Sequence, residues 1–373
     1  MDSVPKTSSS PSSTRHRIVV RSADAAESII REARAALGQA REPCGRRPSL
    51  LGLLANEEPS TLAYVKFTRK VFQANGFQFS LQSTTGLSLE RQIEEANMND
   101  DIDGILVYYP ARHNRAMTDR YYQRLVAPGK DVEGLCSEHM QAFYHEYLQL
   151  SPSLHHQAIL PCTALAVCRL LESSGVYSST SWGERLSRKT ITVINRSNVV
   201  GKPLAALLVS EGATVFSVDP TGAAQVLKQR IGRSGRRYQV TDLPGCDLEA
   251  CLRVSDAILS GVYDRSFQIP TELVKVGAAC VDFSSVENFE KSTITLRASM
   301  YAYSIGQVVV AALFENFTRL LLNKERLGCR CKDDLCRWAL AAGGSDNDVR
   351  FSGRDENVTE CCASRPGEQE QTG

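Results

Sequence analysis

Apolar residues fall in two alternating rhythms along this chain. Runs such as Leu50–Leu54, Gly104–Tyr109 and Thr190–Ile194 have strand length and little polarity, while Ala26, Ile29, Ile30, Ala33 and Leu37 recur at helical spacing. The pattern predicts a strand over 16–20, a helix over 23–37, a strand over 50–54 and a helix over 60–75 stopped by Gly76. A strand over 77–81, a helix over 87–98 and a strand over 104–109 closed by Pro110 complete a first cycle. A second cycle opens after Pro161, with a helix over 163–173 and Thr163 as its N-cap. Then come a strand over 190–194, a helix over 203–210 ended by Gly212, and a strand over 213–218 closing on Asp219. Strands over 257–259 and 278–283 and a long apolar-striped helix over 306–322 finish the pattern. Strands alternating with helices of this length imply right-handed βαβ units around parallel sheet, an α/β fold in two domains. The expected division is 17–160, completed by the helix 306–323, and 161–305. The flanks 1–16 and 324–373 lack the apolar content to bury a core and read as disordered.

Composition narrows the partners. The 373 residues carry 43 Lys plus Arg against 42 Asp plus Glu, a balance unlike that of a nucleic-acid binder relying on global positive charge. No apolar run approaches the roughly 18 residues a membrane span needs; Val308–Phe314 is followed at once by Glu315. Arg15 and Arg17 in the Ser-rich lead fit a mitochondrial presequence, but Asp2 and the lack of an amphipathic pattern do not. A cytoplasmic location is expected, with a mitochondrial one as the alternative. The 12 cysteines are too sparse and irregular for a disulfide scaffold. Cys329, Cys331, Cys336, Cys361 and Cys362 crowd the tail without the paired spacing of a structural zinc site, so no metal is expected.

The segment Thr190 to Pro203 reads as strand, tight turn and helix start, the setting in which a helix N-terminus meets a pyrophosphate. Of the three glycines of a dinucleotide fingerprint only Gly201 is obvious. Asn195 stands where the first would fall, and asparagine tolerates a left-handed backbone. Asp219 follows 24 positions after Asn195, where an acid holds the ribose hydroxyls of NAD and repels the 2′-phosphate of NADP. The lesser alternative is that Asp219 merely starts a turn with Pro220. Arg230, Arg233, Arg236 and Arg237 could accept a 2′-phosphate, but Gly232, Ser234 and Gly235 favour a solvated loop.

Lys130-Asp131-Val132-Glu133-Gly134, Leu160-Pro161-Cys162-Thr163 and Asn195 to Pro203, together with Tyr64-Val65, occur in one order at sensible spacing. As a set they resemble the methylenetetrahydrofolate dehydrogenase/cyclohydrolase family over roughly residues 17–323. Val107-Tyr108-Tyr109-Pro110, Glu133, Asn195 and Val215–Asp219 make the chain most similar to the monofunctional, NAD-dependent eukaryotic branch. The resemblance implies an N-terminal folate domain, a Rossmann NAD domain, a cleft between them, a homodimer and a tetrahydrofolate substrate. It implies catalytic positions at Tyr64, Thr68 and Glu133, and substrate contacts from Tyr64, Tyr108, Pro110 and Glu133. It implies NAD contacts from Asn195, Arg196, Ser197, Val200, Gly201, Asp219, Gly261 and Gly306.

One departure from the family pattern bears on activity. Bifunctional members carry Tyr-x-x-x-Lys on the second helix, and that lysine serves the cyclohydrolase step; here the position is Thr68. Positions i and i+4 share a helical face, so Tyr64 and Thr68 are expected to look into the cleft. Lys66 and Lys70 fall on other faces and read as surface residues. Oxidising 5,10-methylenetetrahydrofolate moves a hydride from the bridging carbon and leaves a delocalised cation, with no proton transfer at that carbon. Positioning is then the main demand. Hydrolysing the methenyl product needs an activated water, for which a tuned lysine is suited and threonine is not. A carboxylate such as Glu133 can accept two hydrogen bonds from an aminopyrimidine edge. Tyr64 is expected to stack on or order the substrate, or else to be a core tyrosine. Cys162 is expected to be a small buried hydrophobe, with a nucleophile as the other reading. Two rivals to a monofunctional dehydrogenase stay open: a bifunctional enzyme using Lys66 or Lys70, and a folate- or nucleotide-binding protein without turnover.

Overall fold

The computed structural model describes residues 18–19, 22–38, 46–84, 88–111, 116–144, 149–151, 156–178, 183–231 and 235–326. The lead 1–16, Arg233, the tail beyond Arg326 and its cysteines lie outside them.

In the first unit β2 (Ser49–Leu54), β3 (Gln78–Ser83) and β4 (Gly104–Tyr108) form a parallel sheet in the order β3-β2-β4. Every residue of β2 and β4 is buried, as expected of strands covered on both faces. Helices α2 (Pro59–Ala74) and α3 (Leu89–Met98) make the crossovers. The chain continues through α4 (Ala116–Leu125), α5 (Ser137–Tyr144) and a small hairpin of β5 (Gln149–Ser151) and β6 (His156–Gln157).

Eight strands build the larger sheet, in the order β1-β13-β12-β11-β7-β8-β9-β10. They are β1 (Ile18–Val19), β7 (Thr190–Ile194), β8 (Thr214–Asp219), β9 (Gly222–Ile231), β10 (Gly235–Asp242), β11 (Ala257–Ser260), β12 (Ala279–Asp282) and β13 (Met300–Ala302). Helices α7 (Gly201–Ser210), α8 (Leu248–Val254) and α9 (Lys291–Arg297) connect them. From β7 the chain steps to β8 on one side, then returns to β11 on the other. That reversal opens a crevice at the carboxyl ends of β7 and β11, where open α/β sheets bind ligands.

Helices α1 (Ser22–Gly38), α6 (Cys162–Ser173) and α10 (Gly306–Arg326) tie the units together. Helix α10 starts after β13 and packs Phe314 and Phe317 into the core of the first unit. There Phe317 meets Phe72 at 5.2 Å and Phe314 stacks on Phe77 at 5.3 Å between ring centroids. Bidentate Arg169–Glu315 and Arg185–Glu211 pairs, joined through Glu172, lock α6 to α10 and to the end of α7.

Several expectations change. Strand β1, expected in the first domain, pairs with β13 at the edge of the large sheet, so the chain visits the second unit before building the first. Thr163 does not cap α6: the helix begins at Cys162 after Pro161 with no side-chain cap, and the Cys162 N–H donates to the Glu133 carbonyl instead. Arg230, Arg236 and Arg237 lie in a β-hairpin, not a loop, with Arg236 opposite Arg230. Antiparallel pairing to β8 organises a segment whose Gly and Ser content reads locally as a break.

Candidate active site

The crevice is lined by the turn after β7. The Asn195 side chain spans the switch point: Nδ2 donates to the Gly261 carbonyl at 2.7 Å, and Oδ1 accepts the Ser197 N–H at 3.0 Å. The left-handed backbone expected of Asn195 is not found. Among the described residues the non-glycine positions of positive φ are Arg188 and Ser304. Asparagine serves here as a cross-loop tie. Gly201 is required by close approach, since a Cβ there would sit 2.0 Å from the Asn195 carbonyl oxygen. The first turn of α7 is less open to an anion than its position suggests. Ser197 Oγ accepts the N–H groups of both Val200 and Gly201, and Pro203 has none to offer.

Asp219 ends β8 at the crevice edge. Its Oδ1 accepts from Thr221 and pairs with Arg196 at 3.1 Å. The Arg196 guanidinium also donates to the Ser217 and Gly222 carbonyls at 2.8 and 3.0 Å. Arg196 is thus folded back on the β8–β9 turn, a contact the sequence reading missed because the two residues lie on different elements, far apart in the chain. The Gly261 N–H donates to Ile194, which keeps the β11 loop level with the β7 turn. Gly306 is exposed at the start of α10, after β13.

At the carboxyl end of the smaller sheet, Tyr108 closes β4 and is followed by a cis Tyr109–Pro110 peptide. Asn56 holds this corner by donating to the Tyr108 and Pro110 carbonyls at 3.2 and 3.1 Å. The Tyr64 ring on α2 meets the Tyr108 ring edge-on, 5.6 Å between centroids. Thr68 is fully buried one turn on, and its Oγ1 donates to the Tyr64 carbonyl at 2.9 Å, whereas Lys66 and Lys70 are exposed. Thr68 therefore lies beneath Tyr64 rather than in the open cleft.

Glu133 and Tyr64 keep part of their surface open, but their polar ends lie deep among protein atoms. Burial pushes the Glu133 carboxyl well above the usual carboxylate range, and the neighbouring Asp131 charge adds to it. Burial likewise raises the Tyr64 phenol, with Cys162, Glu133 and Tyr108 contributing. The Tyr108 hydroxyl is buried beside the Thr68 hydroxyl without a well-formed hydrogen bond, and burial raises it too. Cys162 is inert: its Sγ donates to the Val132 carbonyl at 3.2 Å, and burial beside Glu133 and Asp131 holds the thiol protonated. The sequence reading missed Asn316 of α10, whose Nδ2 donates to the Val132 and Leu160 carbonyls at 2.9 and 2.8 Å. Only its position on a long apolar helix could have marked it. It also passed over Asp131, inside the motif already singled out.

These two constellations, a dinucleotide crevice and a buried carboxyl beside paired tyrosines, define a two-domain α/β oxidoreductase scaffold. The family model for the tetrahydrofolate dehydrogenase/cyclohydrolase catalytic domain matches residues 20–133, and that for its NAD(P)-binding domain matches residues 161–232. The chain is 39% identical over 274 residues to a protein of Schizosaccharomyces pombe named methylenetetrahydrofolate dehydrogenase [NAD(+)], covering 73% of this chain and 84% of that one. A Saccharomyces cerevisiae protein of the same name is 38% identical over 75% of this chain and 88% of its own. The solved structure of the NAD-dependent 5,10-methylenetetrahydrofolate dehydrogenase from Saccharomyces cerevisiae superposes with a TM-score of 0.75 at 34% identity, covering 82% of this chain and 98% of that one. The chain belongs to the tetrahydrofolate dehydrogenase/cyclohydrolase family.

Proposed function

We propose that the chain oxidises 5,10-methylenetetrahydrofolate to 5,10-methenyltetrahydrofolate with NAD as acceptor, and that it has no meaningful cyclohydrolase activity. The observation that carries the reading is its likeness to NAD-dependent relatives across most of their length. The switch-point crevice, the close backbone approach at Gly201 and the acid at the end of β8 fit NAD, which when bound supplies the hydride acceptor. Asn195, Arg196, Ser197, Val200, Gly201, Asp219, Gly261 and Gly306 are the residues that would hold it. Tyr64 orders the substrate, Glu133 takes its aminopyrimidine edge, and Tyr108 and Pro110 shape the wall between them.

Hydrolysis lacks its proton shuttle. Thr68 stands at the lysine position, and its hydroxyl is committed to the Tyr64 carbonyl. Losing general acid–base help typically slows such a step on the order of 100- to 10,000-fold. The test is a paired assay: NADH formation from methylenetetrahydrofolate, and release of 10-formyltetrahydrofolate from the methenyl form. The unmodified protein should give the first and not the second. Robust hydrolysis would make it bifunctional, and absence of NADH formation would leave a binding protein. Thr68→Lys alone is expected to restore little, because a long side chain entering this packed position strains the core by about 1–3 kcal/mol. The same reading carries a homodimer, checked by sedimentation, and a cytoplasmic location, checked by cell fractionation.

A further inference from the structure

Asp131 is buried two residues before Glu133, and both of its oxygens are in use. Oδ1 accepts the N–H groups of Glu133 and Gly134, each at 3.0 Å, and Oδ2 accepts the Cys136 N–H at 2.7 Å. The ligand atoms of Asp131, Cys136 and His139 lie within 4.8 Å of one another, spacing that would suit a metal ion. The hydrogen bonds argue otherwise. His139 Nε2 lies 2.9 Å from the Pro128 carbonyl, so that nitrogen carries the hydrogen, and Nδ1 accepts the Ile159 N–H at 3.4 Å. Cys136 Sγ accepts the His139 N–H at 3.5 Å, and burial keeps the thiol protonated. The cluster is a hydrogen-bonded knot with its acceptors already engaged.

What the knot fixes is the backbone around Glu133. Asp131 holds the Glu133 N–H, and the first residue of α6 donates to the Glu133 carbonyl at 3.3 Å. Gly134 follows in the left-handed region at φ 69°, and a Cβ there would lie 2.6 Å from the Leu160 carbonyl carbon. With both peptide groups held, the direction in which the Glu133 side chain leaves the backbone is set, and its carboxyl meets the Val107 N–H and lies near Tyr64 and Tyr108.

We propose that Asp131 is a positioning residue for the folate site, its carboxylate aiming Glu133 at the substrate by gathering the N–H groups of residues 133, 134 and 136. The proposal rests on the reading of Glu133 as a folate-binding group. It carries an electrostatic corollary. The groups facing Glu133 are Tyr64 from α2, Tyr108 and Tyr109 from the end of β4, Cys162 from α6, and Asp131 from its own loop. Of these Asp131 bears charge, and it makes Glu133 harder to ionise.

The experiment compares Asp131→Asn with the unmodified protein and with Glu133→Gln. It measures kcat/KM for methylenetetrahydrofolate and for NAD across pH, with thermal melting as the check on folding. An amide accepts on one side only, so one N–H of the three faces a donor. KM for the folate substrate should rise roughly tenfold, with KM for NAD within about twofold of the unmodified value. If the carboxylate form of Glu133 binds substrate, kcat/KM rises with pH through the ionisation of Glu133. Removing the Asp131 charge moves that limb to lower pH, and Glu133→Gln abolishes it. A folded Asp131→Asn with unchanged folate KM and an unmoved limb overturns the proposal. So do equal losses toward both substrates with the limb in place, the mark of a merely structural role. Should Asp131→Asn fail to fold, Asp131→Ser, with one acceptor and no charge, faces the same two outcomes. If the unmodified chain forms no NADH, the functional reading fails by itself. Calorimetric binding of tetrahydrofolate to the same proteins then decides, a loss of affinity in the Asp131 variants supporting the positioning role and equal affinity ending it.

Discussion

On the folate side, Glu133, Tyr64 and Tyr108 hold their polar ends among protein atoms, and the Tyr108 hydroxyl, beside Thr68, lacks a well-formed hydrogen bond. On the nucleotide side the polar groups are satisfied by each other. Asn195 ties Gly261 to Ser197, Ser197 takes two N–H groups of α7, and Arg196 closes on Asp219. The difference bears on binding. A buried set with a poorly partnered hydroxyl carries part of its desolvation penalty in the free protein and recovers it when a ligand supplies further bonds. A self-satisfied lip must exchange internal bonds for those to its ligand, so selectivity there depends on which internal bonds are easily given up.

The largest effect should come from the nucleotide lip. Gly201→Ala forces a Cβ against the Asn195 carbonyl, and a displaced turn should lower kcat/KM for NAD on the order of 100-fold or more. Tetrahydrofolate affinity, read by calorimetry, should be unchanged. Equal losses on both sides would erase the contrast. Next, Asp219→Ser removes the acid and leaves Arg196 without its 3.1 Å partner. The preference for NAD over NADP should narrow about tenfold, the scale of one charge-assisted hydrogen bond. Equal use of both cofactors by the unmodified protein would contradict the role given to Asp219.

Tyr108→Phe sharpens the folate side. Deleting a buried hydroxyl whose contact with Thr68 is poorly formed should stabilise the fold by about 1 kcal/mol. The corresponding rise in Tm is about 2–4 °C for each kcal/mol. Folate kcat/KM should fall about fivefold, the scale of one neutral hydrogen bond. A lower Tm would mean that the hydroxyl is satisfied. Smallest of all, Lys66→Ala and Lys70→Ala should leave melting within about 0.5 kcal/mol of the parent and NADH formation unchanged. A loss of activity in either would place a lysine of α2 in the site after all.

Legibility in the sequence tracked the reach of the interactions. Strands β2, β4 and β7 and helices α2 and α10 are long or uniformly apolar, and their periodicity marked them within a few residues. The β9–β10 hairpin escaped because its Arg and Gly residues resemble a solvated loop, and the pairing with β8 and the packing of Tyr238 on Phe143 that support it are long-range. The Thr163 cap failed because a buried helix start found its acceptor on Glu133, far away in sequence. The places of Asp219 at the end of β8 and of Gly201 in the β7 turn were legible from spacing, whereas the Arg196 pairing that occupies Asp219 was not.

By itself the chain determined its local periodicities, the order of its elements, the glycine that the β7 turn requires and the residue types available for chemistry. These depend on contacts a few positions apart, which the sequence states directly. The tertiary structure alone decided that Asn195 works through its side chain, that Thr68 lies beneath Tyr64, that Asp131 gathers the backbone around Glu133, and that Asn316 reaches the same loop from the last helix. Each of these is a matter of which donor meets which acceptor once burial has removed water. That pairing is set by the packing of whole elements, not by the residues flanking each group.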